Sequence, residues 1–450
     1  MKYERDNALS KKKIGFISLG CPKNLIDTEI MLRRLVDSGY EITPEETEAD
    51  IVIVNTCAFT EEAKLESIDN ILDIAWLKEH GHLKKIICTG CMAERYGNEI
   101  RSELPEVDAI VGVGSIKEIE KAVEAVEKGE FFDSRLPKDE LPLGGDRLVT
   151  TPEYTAYLKI AEGCDNRCAF CAIPGIRGRF RSRPMEDIVA EAKELEKLGV
   201  KELTLVAQDT TRYGLDLYGE YKTAELIENI LRETEIPWIR TLYCYPDKIT
   251  DDFLRVMRDN PRVVKYVDMP IQHITDSMLK AMNRHGDAAT VKNAVARLRR
   301  EIPGLTLRTT LMVGFPGETE EDFDALCEYI NEARFDRLGV FTFSPEEGTK
   351  AFSMPDQIDK QTKQDRMDRA MALQADIAAS LNEEKIGSVQ KVLCEGFDAV
   401  SEAYYGRSEA DAPEIDGKIW FTSDRKIAPG EFIDVKINEA LDYDLVGEVI

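Results

Sequence analysis

The sequence has no run of about 18 uncharged apolar residues, the length a membrane-spanning helix requires, so no membrane partner is expected. Its first residues, MKYERDNALSKKK, lack the apolar stretch of a secretory signal. Cysteine is scarce, ten in 450 residues, too few for a disulfide scaffold in a chain of this size. Histidine is scarcer still, at four. Neither an internal repeat at a fixed short period nor a low-complexity tract is present. Basic residues fall well short of acidic ones, 59 against 85, for a net charge of −26. Such a surface repels phosphate backbones unless its cations are gathered in one place, and it suits a basic protein partner. Secreted, membrane and fibrous classes are thereby set aside, and a cytoplasmic chain is expected, whose clustered cysteines read as metal ligands or catalytic groups.

With 43% hydrophobic residues, the chain can bury substantial cores, and its length suits about three domains of roughly 150 residues. The expected class is α/β multidomain. Strand-like runs at Ile14–Leu19, Ile51–Val54, Lys85–Cys88 and Ala109–Val113 alternate with helical stretches near Lys23–Ser38, Glu61–Lys78, Ala93–Ser102 and Ser115–Lys128. That alternation predicts an N-terminal open parallel α/β sheet domain over 12–130. Residues 131–151, with Pro137, Pro142, Gly144 and Gly145, read as a linker. Six further βα units begin with strands at Tyr157–Ala161, Glu202–Ala207, Trp238–Tyr243, Tyr266–Met269, Thr306–Val313 and Arg337–Phe343. They predict a partial (β/α)6 barrel whose site lies at the strand C-terminal ends. The domain spans 152–383 with a trailing long helix, and Ile358–Gly387 reads as that helix. Short glycine-broken runs such as Lys418–Thr422 and Phe432–Ile437 predict a small antiparallel β-barrel over 384–450.

The strongest chemical signal is Cys164-Asp-Asn-Arg-Cys168-Ala-Phe-Cys171, directly after a predicted strand. Three thiolates so close suit three irons of a [4Fe–4S] cluster and leave the fourth iron open. A zinc reading requires a fourth ligand, and His80, His82, His273 and His285 are remote in sequence. A second signal rests on topology. Cys21, Cys57 and Cys91 each follow one predicted strand, at spacings of 36 and 34 residues. In a parallel sheet all strand C-termini lie on one edge, so these three thiols should converge there and hold a second cluster. Buried cysteine acting as a small hydrophobe is the plainer alternative. That plainer reading is preferred for Cys88 and Cys327, although Cys88-Thr-Gly-Cys91 also makes Cys88 a stand-in ligand.

Other residues carry weaker signals. Gln208 and Asp209 follow a barrel strand and face the expected site, or else cap their loop. Gln272 and His273 follow another, where a structural hydrogen bond competes with a site role. Arg308 precedes the Gly314-Phe-Pro-Gly317 turn, which suits either a nearby cofactor or a tight bend. Arg177, Arg179, Arg181 and Arg183 suit phosphates, carboxylates or a solvated surface. In 384–450, 15 acidic residues face 7 basic ones, a net of −8. A module built to grip RNA should be basic, so direct RNA binding is not expected. Tyr404, Tyr405, Trp420 and Phe421 could stack on bases but are read as core.

These residues resemble a known family. CDNRCAFC at 164–171 resembles the signature of radical S-adenosylmethionine enzymes. SLGCPKN, NTC and TGC around Cys21, Cys57 and Cys91 are similar to the cysteine-bearing domain of the methylthiotransferases, and the C-terminal module is similar to TRAM domains. Within that family, SLGCPKNLIDTE, CDNRCAFCAIPGIRGRFRSRP, QDTTRYG and EEGTKAF resemble the branch acting on a ribosomal protein. The branch acting on tRNA adenosine carries Val-Pro-Tyr-Thr-Arg-Gly where this chain has Ile173-Pro174-Gly175-Ile176-Arg177-Gly178.

The resemblance implies two [4Fe–4S] clusters and S-adenosyl-L-methionine as cofactors, and a transferase activity. Cys164, Cys168 and Cys171 would bind the cluster that cleaves the cofactor, with Arg177, Gln208, Gln272 and Arg308 beside the cofactor. Cys21, Cys57 and Cys91 would bind the cluster that carries sulfur, and together with Gln208 and Asp209 they are the expected catalytic residues. The product would be a methylthiolated β-carbon of an aspartate in small-subunit ribosomal protein number twelve, the alternative being a tRNA adenosine. Implied partners are that basic protein, free or on the small subunit, an electron donor such as a flavodoxin or ferredoxin, and a sulfur donor.

Overall fold

The structure, a computed structural model, describes residues 12–450. The N-terminal stretch read above for a signal lies, up to residue 11, outside them. The described residues form two compact units, residues 12–150 with Ala172–Arg179, and Thr151–Cys171 with Phe180–Ile450.

The first unit is a six-stranded parallel sheet built from β1 (Lys13–Ser18), β2 (Glu41–Thr43), β3 (Ile51–Thr56), β4 (Lys85–Gly90), β5 (Ala109–Val111) and β6 (Phe132–Ser134). Its strand order is β2-β1-β3-β4-β5-β6. The helices are α1 (Pro22–Asp37), α2 (Glu61–His80), α3 (Cys91–Glu103), α4 (Ile119–Glu127) and the short α5 (Ile173–Arg177). The run Ile51-Val-Ile-Val explains the layering. Side chains alternate across a strand, so Ile51 and Ile53 enter one core with Met31, Leu35 and Val123. Val52 and Val54 enter the other with Ile71, Ile74 and Met92. Order reverses between β1 and β3, and such a switch point opens a crevice at the strand C-termini.

Sequence reading misses β2 and β6, edge strands of three residues each. With one neighbour apiece they carry no apolar run, and β6 opens the stretch expected to be a linker. Later in that stretch Leu141 is buried in the core. Glu29, fully buried, accepts from Thr150 N at 2.7 Å and pairs with Arg147. The helix expected over Ser115–Lys128 divides into a 3-10 turn, Val113–Glu118, followed by α4.

The second unit holds β7 (Thr155–Lys159), a two-stranded pair β8 (Ala161–Glu162) and β9 (Arg181–Ser182), then β10 (Glu202–Val206), β11 (Trp238–Thr241), β12 (Val263–Asp268), β13 (Thr306–Val313) and β14 (Arg337–Thr342). β7 and β10–β14 form an open parallel sheet in chain order, as barrel-type winding requires. Between them run α6 (Met185–Lys197), α7 (Leu215–Tyr218), α8 (Thr223–Glu233), α9 (Asp251–Asp259), α10 (Asp276–Ala281), α11 (Ala288–Glu301) and α12 (Glu320–Ala333). The long α13 (Lys360–Glu383) packs against β14 and α12.

β15 (Val389–Asp398), β16 (Ala403–Arg407), β17 (Ile419–Thr422), β18 (Phe432–Ala440) and β19 (Leu445–Val449) close into a barrel. Val392, Cys394, Ile419, Phe421, Val435 and Ile437 form its core. Phe421 and Tyr404 stack inside, whereas Trp420 stays half-buried and donates to Asp444 at 2.9 Å. This module is fastened near the N-terminal ends of the barrel strands. Glu202, the first residue of β10, accepts from Arg240 at 2.7 Å and from Arg407 at 2.6 Å with all three side chains buried. Arg337, the first residue of β14, pairs with Asp411 at 2.6 Å. The opposite edge of the sheet is thus left to the cysteine loop. Because Arg407 and Asp411 are consumed one of each sign, the module's net acidity stands on its remaining residues.

Candidate functional site: two triads of thiols

In the first unit the cysteines sit where the switch point predicts. Cys21 follows β1, Cys57 follows β3, and Cys91 follows β4 as the first residue of α3. Gly20 has φ +89°, and a Cβ there would lie 2.9 Å from Cys57 Cβ, so only glycine lets the two loops meet. Asn24 and Asn55 lace these loops together. Asn24 donates to Leu19 O at 2.7 Å and Thr56 O at 3.3 Å, while Asn55 donates to Asn24 O at 2.8 Å. Ser67 of α2 holds Cys57 at both ends, accepting from its N–H at 3.0 Å and donating to its carbonyl at 2.9 Å.

The thiols feel one another. Burial first, and then Cys91, pushes the Cys57 thiol up to about 12, and burial likewise raises Cys91. Cys21 caps α1. There burial is outweighed by Lys23, Arg177 and the backbone N–H groups of the helix start, and its thiol is lowered. Arg177, expected beside the cofactor, belongs to α5 in this unit. Its guanidinium is 1% exposed and donates to Asp27 at 2.7 Å, Asn24 at 3.0 Å and Cys91 Sγ at 3.7 Å. Cys88 points into the apolar core at 0% exposure, as a small hydrophobe should.

In the second unit the loop Cys164–Cys171 follows β8 at the C-terminal edge of the sheet. Cys164 and Cys168 are buried and Cys171 half-buried, with Cys171 N–H turning back to Cys168 O at 3.1 Å. Ala169, inside the loop, is clamped in a cluster with Met278, Met282, Phe315 and Phe343. Burial, followed by Asp209 and Cys168, pushes the Cys164 thiol up to about 11. Arg284 donates to Cys168 Sγ at 3.6 Å and lies over the Tyr245 ring at 4.3 Å.

Asp209 is buried at 0% exposure and braces this loop. It accepts from Asn166 and from Lys248 at 2.8 Å each, and from Thr211 at 2.9 Å. Gln208 donates to Glu162 at 2.6 Å, and Glu162 also pairs with Lys159 at 3.2 Å. Gln208 Oε1 is buried without a hydrogen-bond partner, an acceptor open to a donor such as an ammonium group. Gln272 has φ +71° and ties the loop after β12 to β13, its N–H donating to Thr310 O at 2.9 Å. His273 Nδ1 accepts from Thr275 N–H at 3.2 Å, so Nε2 donates to Glu318 at 3.1 Å in a buried structural pair. Arg308 lies in the N-terminal half of β13. It pairs with Asp268 at 2.8 Å and lines a cavity of about 310 Å³ with Arg337, Gln374 and Asp416. Cys244 and Cys394 are buried, whereas Cys327 is only half-buried, at the rim of α12's apolar face. Sequence reasoning did not single out Asn166, Lys248, Tyr245 or Arg284. Only Asn166 had a signal, its place inside the cysteine motif.

Among the described residues, no three Cys, His, Asp or Glu side chains close round a single metal ion. The donor set of each triad fits a cluster: soft thiol donors, one guanidinium per triad on a sulfur, and loops held by buried polar bonds.

The chain matches the radical SAM superfamily over residues 158–330, the uncharacterized protein family UPF0004 over 13–112, and the TRAM domain over 386–450. It is 50% identical to the ribosomal protein uS12 methylthiotransferase RimO of Desulforamulus reducens, over 97% of this chain and 99% of that one. Identity to the RimO of Geobacter sulfurreducens is 47%, over 98% and 99% of the two chains. Among solved structures it is similar to the radical S-adenosylmethionine methyltransferase TsrM from Kitasatospora setae, with cobalamin and a [4Fe-4S] cluster bound. That match has a TM-score of 0.55 at 14% identity, covers 85% of this chain and 81% of that one, and shows the fold alone. With three domain types in this order and near-full-length identity of about half, the chain belongs to the ribosomal protein uS12 methylthiotransferase family of radical S-adenosylmethionine enzymes.

Proposed function

We propose that this chain replaces a hydrogen on the β-carbon of an aspartate in ribosomal protein uS12 by a methylthio group, in the cytoplasm. The observation that supports this reading best is the pair of thiol triads, one at the switch point of an open α/β sheet and one at the C-terminal edge of a barrel sheet. When bound, two [4Fe–4S] clusters and S-adenosyl-L-methionine supply the radical, the sulfur and the methyl group.

The chain's own residues hold, orient and shield these groups. Cys164, Cys168 and Cys171 would hold the cluster that takes the cofactor, with Asp209, Asn166 and Lys248 fixing their loop and Gln208 Oε1 available to accept from the cofactor's amino group. Cys21, Cys57 and Cys91 would hold the second cluster. The apolar packing of Ala169 and its neighbours keeps water from the first loop. The acidic C-terminal module, net −8 over 384–450, attracts a basic protein and repels RNA. An electron donor of the flavodoxin or ferredoxin kind and a sulfur donor complete the reaction.

The test is anaerobic turnover with uS12 and, separately, tRNA, followed by mass spectrometry for a methylthio group replacing one hydrogen. Modified uS12 aspartate is expected. Product on tRNA adenosine alone would overturn the substrate assignment.

A further inference from the structure

We infer that Arg177 is a positioning residue for the cluster of the first unit, set by Asp27 and Asn24 so that its guanidinium donates to the Cys91 sulfur and raises that cluster's reduction potential. The inference rests on the proposed ligation by Cys21, Cys57 and Cys91.

Arg177 stands six residues beyond Cys171, in the motif that serves the other cluster. It nevertheless folds with the first unit, because its neighbour Ile176 is 2% exposed in the core that holds Cys91, Leu141 and Met31, and Ala172 packs against the same core. A guanidinium 1% exposed is costly unless every donor direction is used. Here the planar fork divides its work. Nη1 meets Asp27 at 2.7 Å, while Nη2 meets both Asn24 at 3.0 Å and Cys91 Sγ at 3.7 Å. Lysine, a point donor on a flexible stem, cannot hold all three.

Geometry and charge agree on the consequence. Asp27 offsets one positive charge, and three thiolates around the same spot would add negative charge. Of these sulfurs Arg177 donates directly to Cys91, at 3.7 Å. Hydrogen bonds to a ligating sulfur withdraw electron density and favour the reduced cluster. The Asp27–Asn24–Arg177 set therefore orients one ligand and tunes the potential of the cluster it serves. It also ties α1, which Cys21 directly precedes, to α3, which starts at Cys91.

The experiment uses the full chain in a Cys164/Cys168/Cys171→Ala background, so that only this cluster is read. Iron and sulfide are counted after anaerobic reconstitution, and the midpoint potential is titrated by EPR for Arg177, Arg177→Lys and Arg177→Gln. About four irons in the parent is the count thiolate ligation of one cube predicts. The expected result is a midpoint that moves to more negative values in the order Arg, Lys, Gln. A Gln variant with full iron and an unmoved midpoint overturns the inference while leaving the ligand assignment standing. Should the Gln variant fail to fold by circular dichroism, the Lys variant is read instead, and an unmoved midpoint there overturns it equally. A parent that takes up no iron removes the ligand assignment, and the inference with it.

Discussion

Lys248→Met tests whether Asp209 acts through the cysteine loop. The substitution nearly conserves volume and removes one cation. Lys248 and Asp209 are 4% and 0% exposed, 2.8 Å apart, and Lys248 also donates to Asn166 Oδ1 at 3.3 Å. Removing one member of a buried pair costs about 3–5 kcal/mol because the other charge is left uncompensated. That is two to four powers of ten in the equilibrium between ordered and disordered loop, at about 1.4 kcal/mol per tenfold. Asn166 lies between Cys164 and Cys168, so disorder there would disperse the three cysteines proposed as ligands. The assay is iron content of a Cys57→Ala background, with urea unfolding of the same protein. Lys248→Met should lose most of the remaining iron and unfold at lower urea. Asp209→Asn added to it removes the stranded charge, so stability should return to within about 2 kcal/mol of the parent, since neutralising both partners is far less costly than removing one. Full iron and an unchanged urea midpoint in Lys248→Met would refute this role for the pair.

Cys168→Ala should abolish cofactor cleavage and product together, whereas Cys57→Ala should cleave the cofactor yet form no methylthio product; chromatographic detection of 5′-deoxyadenosine beside mass spectrometry of uS12 separates the two. Gly20→Ala places a Cβ 2.9 Å from Cys57 Cβ at a φ of +89°. It should lower first-unit iron in the Cys164/Cys168/Cys171→Ala background while leaving the second unit's cofactor cleavage near parental in the otherwise intact chain; parental iron would contradict the close approach. Arg407→Met leaves buried Glu202 with Arg240 but without its second cation, and should destabilise the second unit by about 1.5–3 kcal/mol, the worth of a charge-assisted hydrogen bond, read as a lowered thermal midpoint of the apo protein.

Much of this protein is legible in its sequence because its signals are local. The Ile51–Val54 run predicts a strand, and βα alternation predicts both parallel sheets. Strand-to-cysteine order places Cys21, Cys57 and Cys91 on one edge, since strand C-termini in a parallel sheet must share an edge. Spacing alone marks Cys164, Cys168 and Cys171. Edge strands β2 and β6 escape notice because three residues with one neighbour carry no periodicity.

What the sequence by itself determined is therefore the class of chemistry: six thiols in two groups, on two parallel-sheet scaffolds, with an acidic module after them. Tertiary structure alone decided which polar residues serve which group. Asp209 is paired with Lys248, 39 residues away, and Arg177 with Asp27, 150 residues away. Arg308 faces the module's Asp416 rather than the cysteine loop's edge. A buried charge must find its partner wherever folding brings one within about 3 Å, and that choice depends on three-dimensional proximity, which spacing along the chain does not encode.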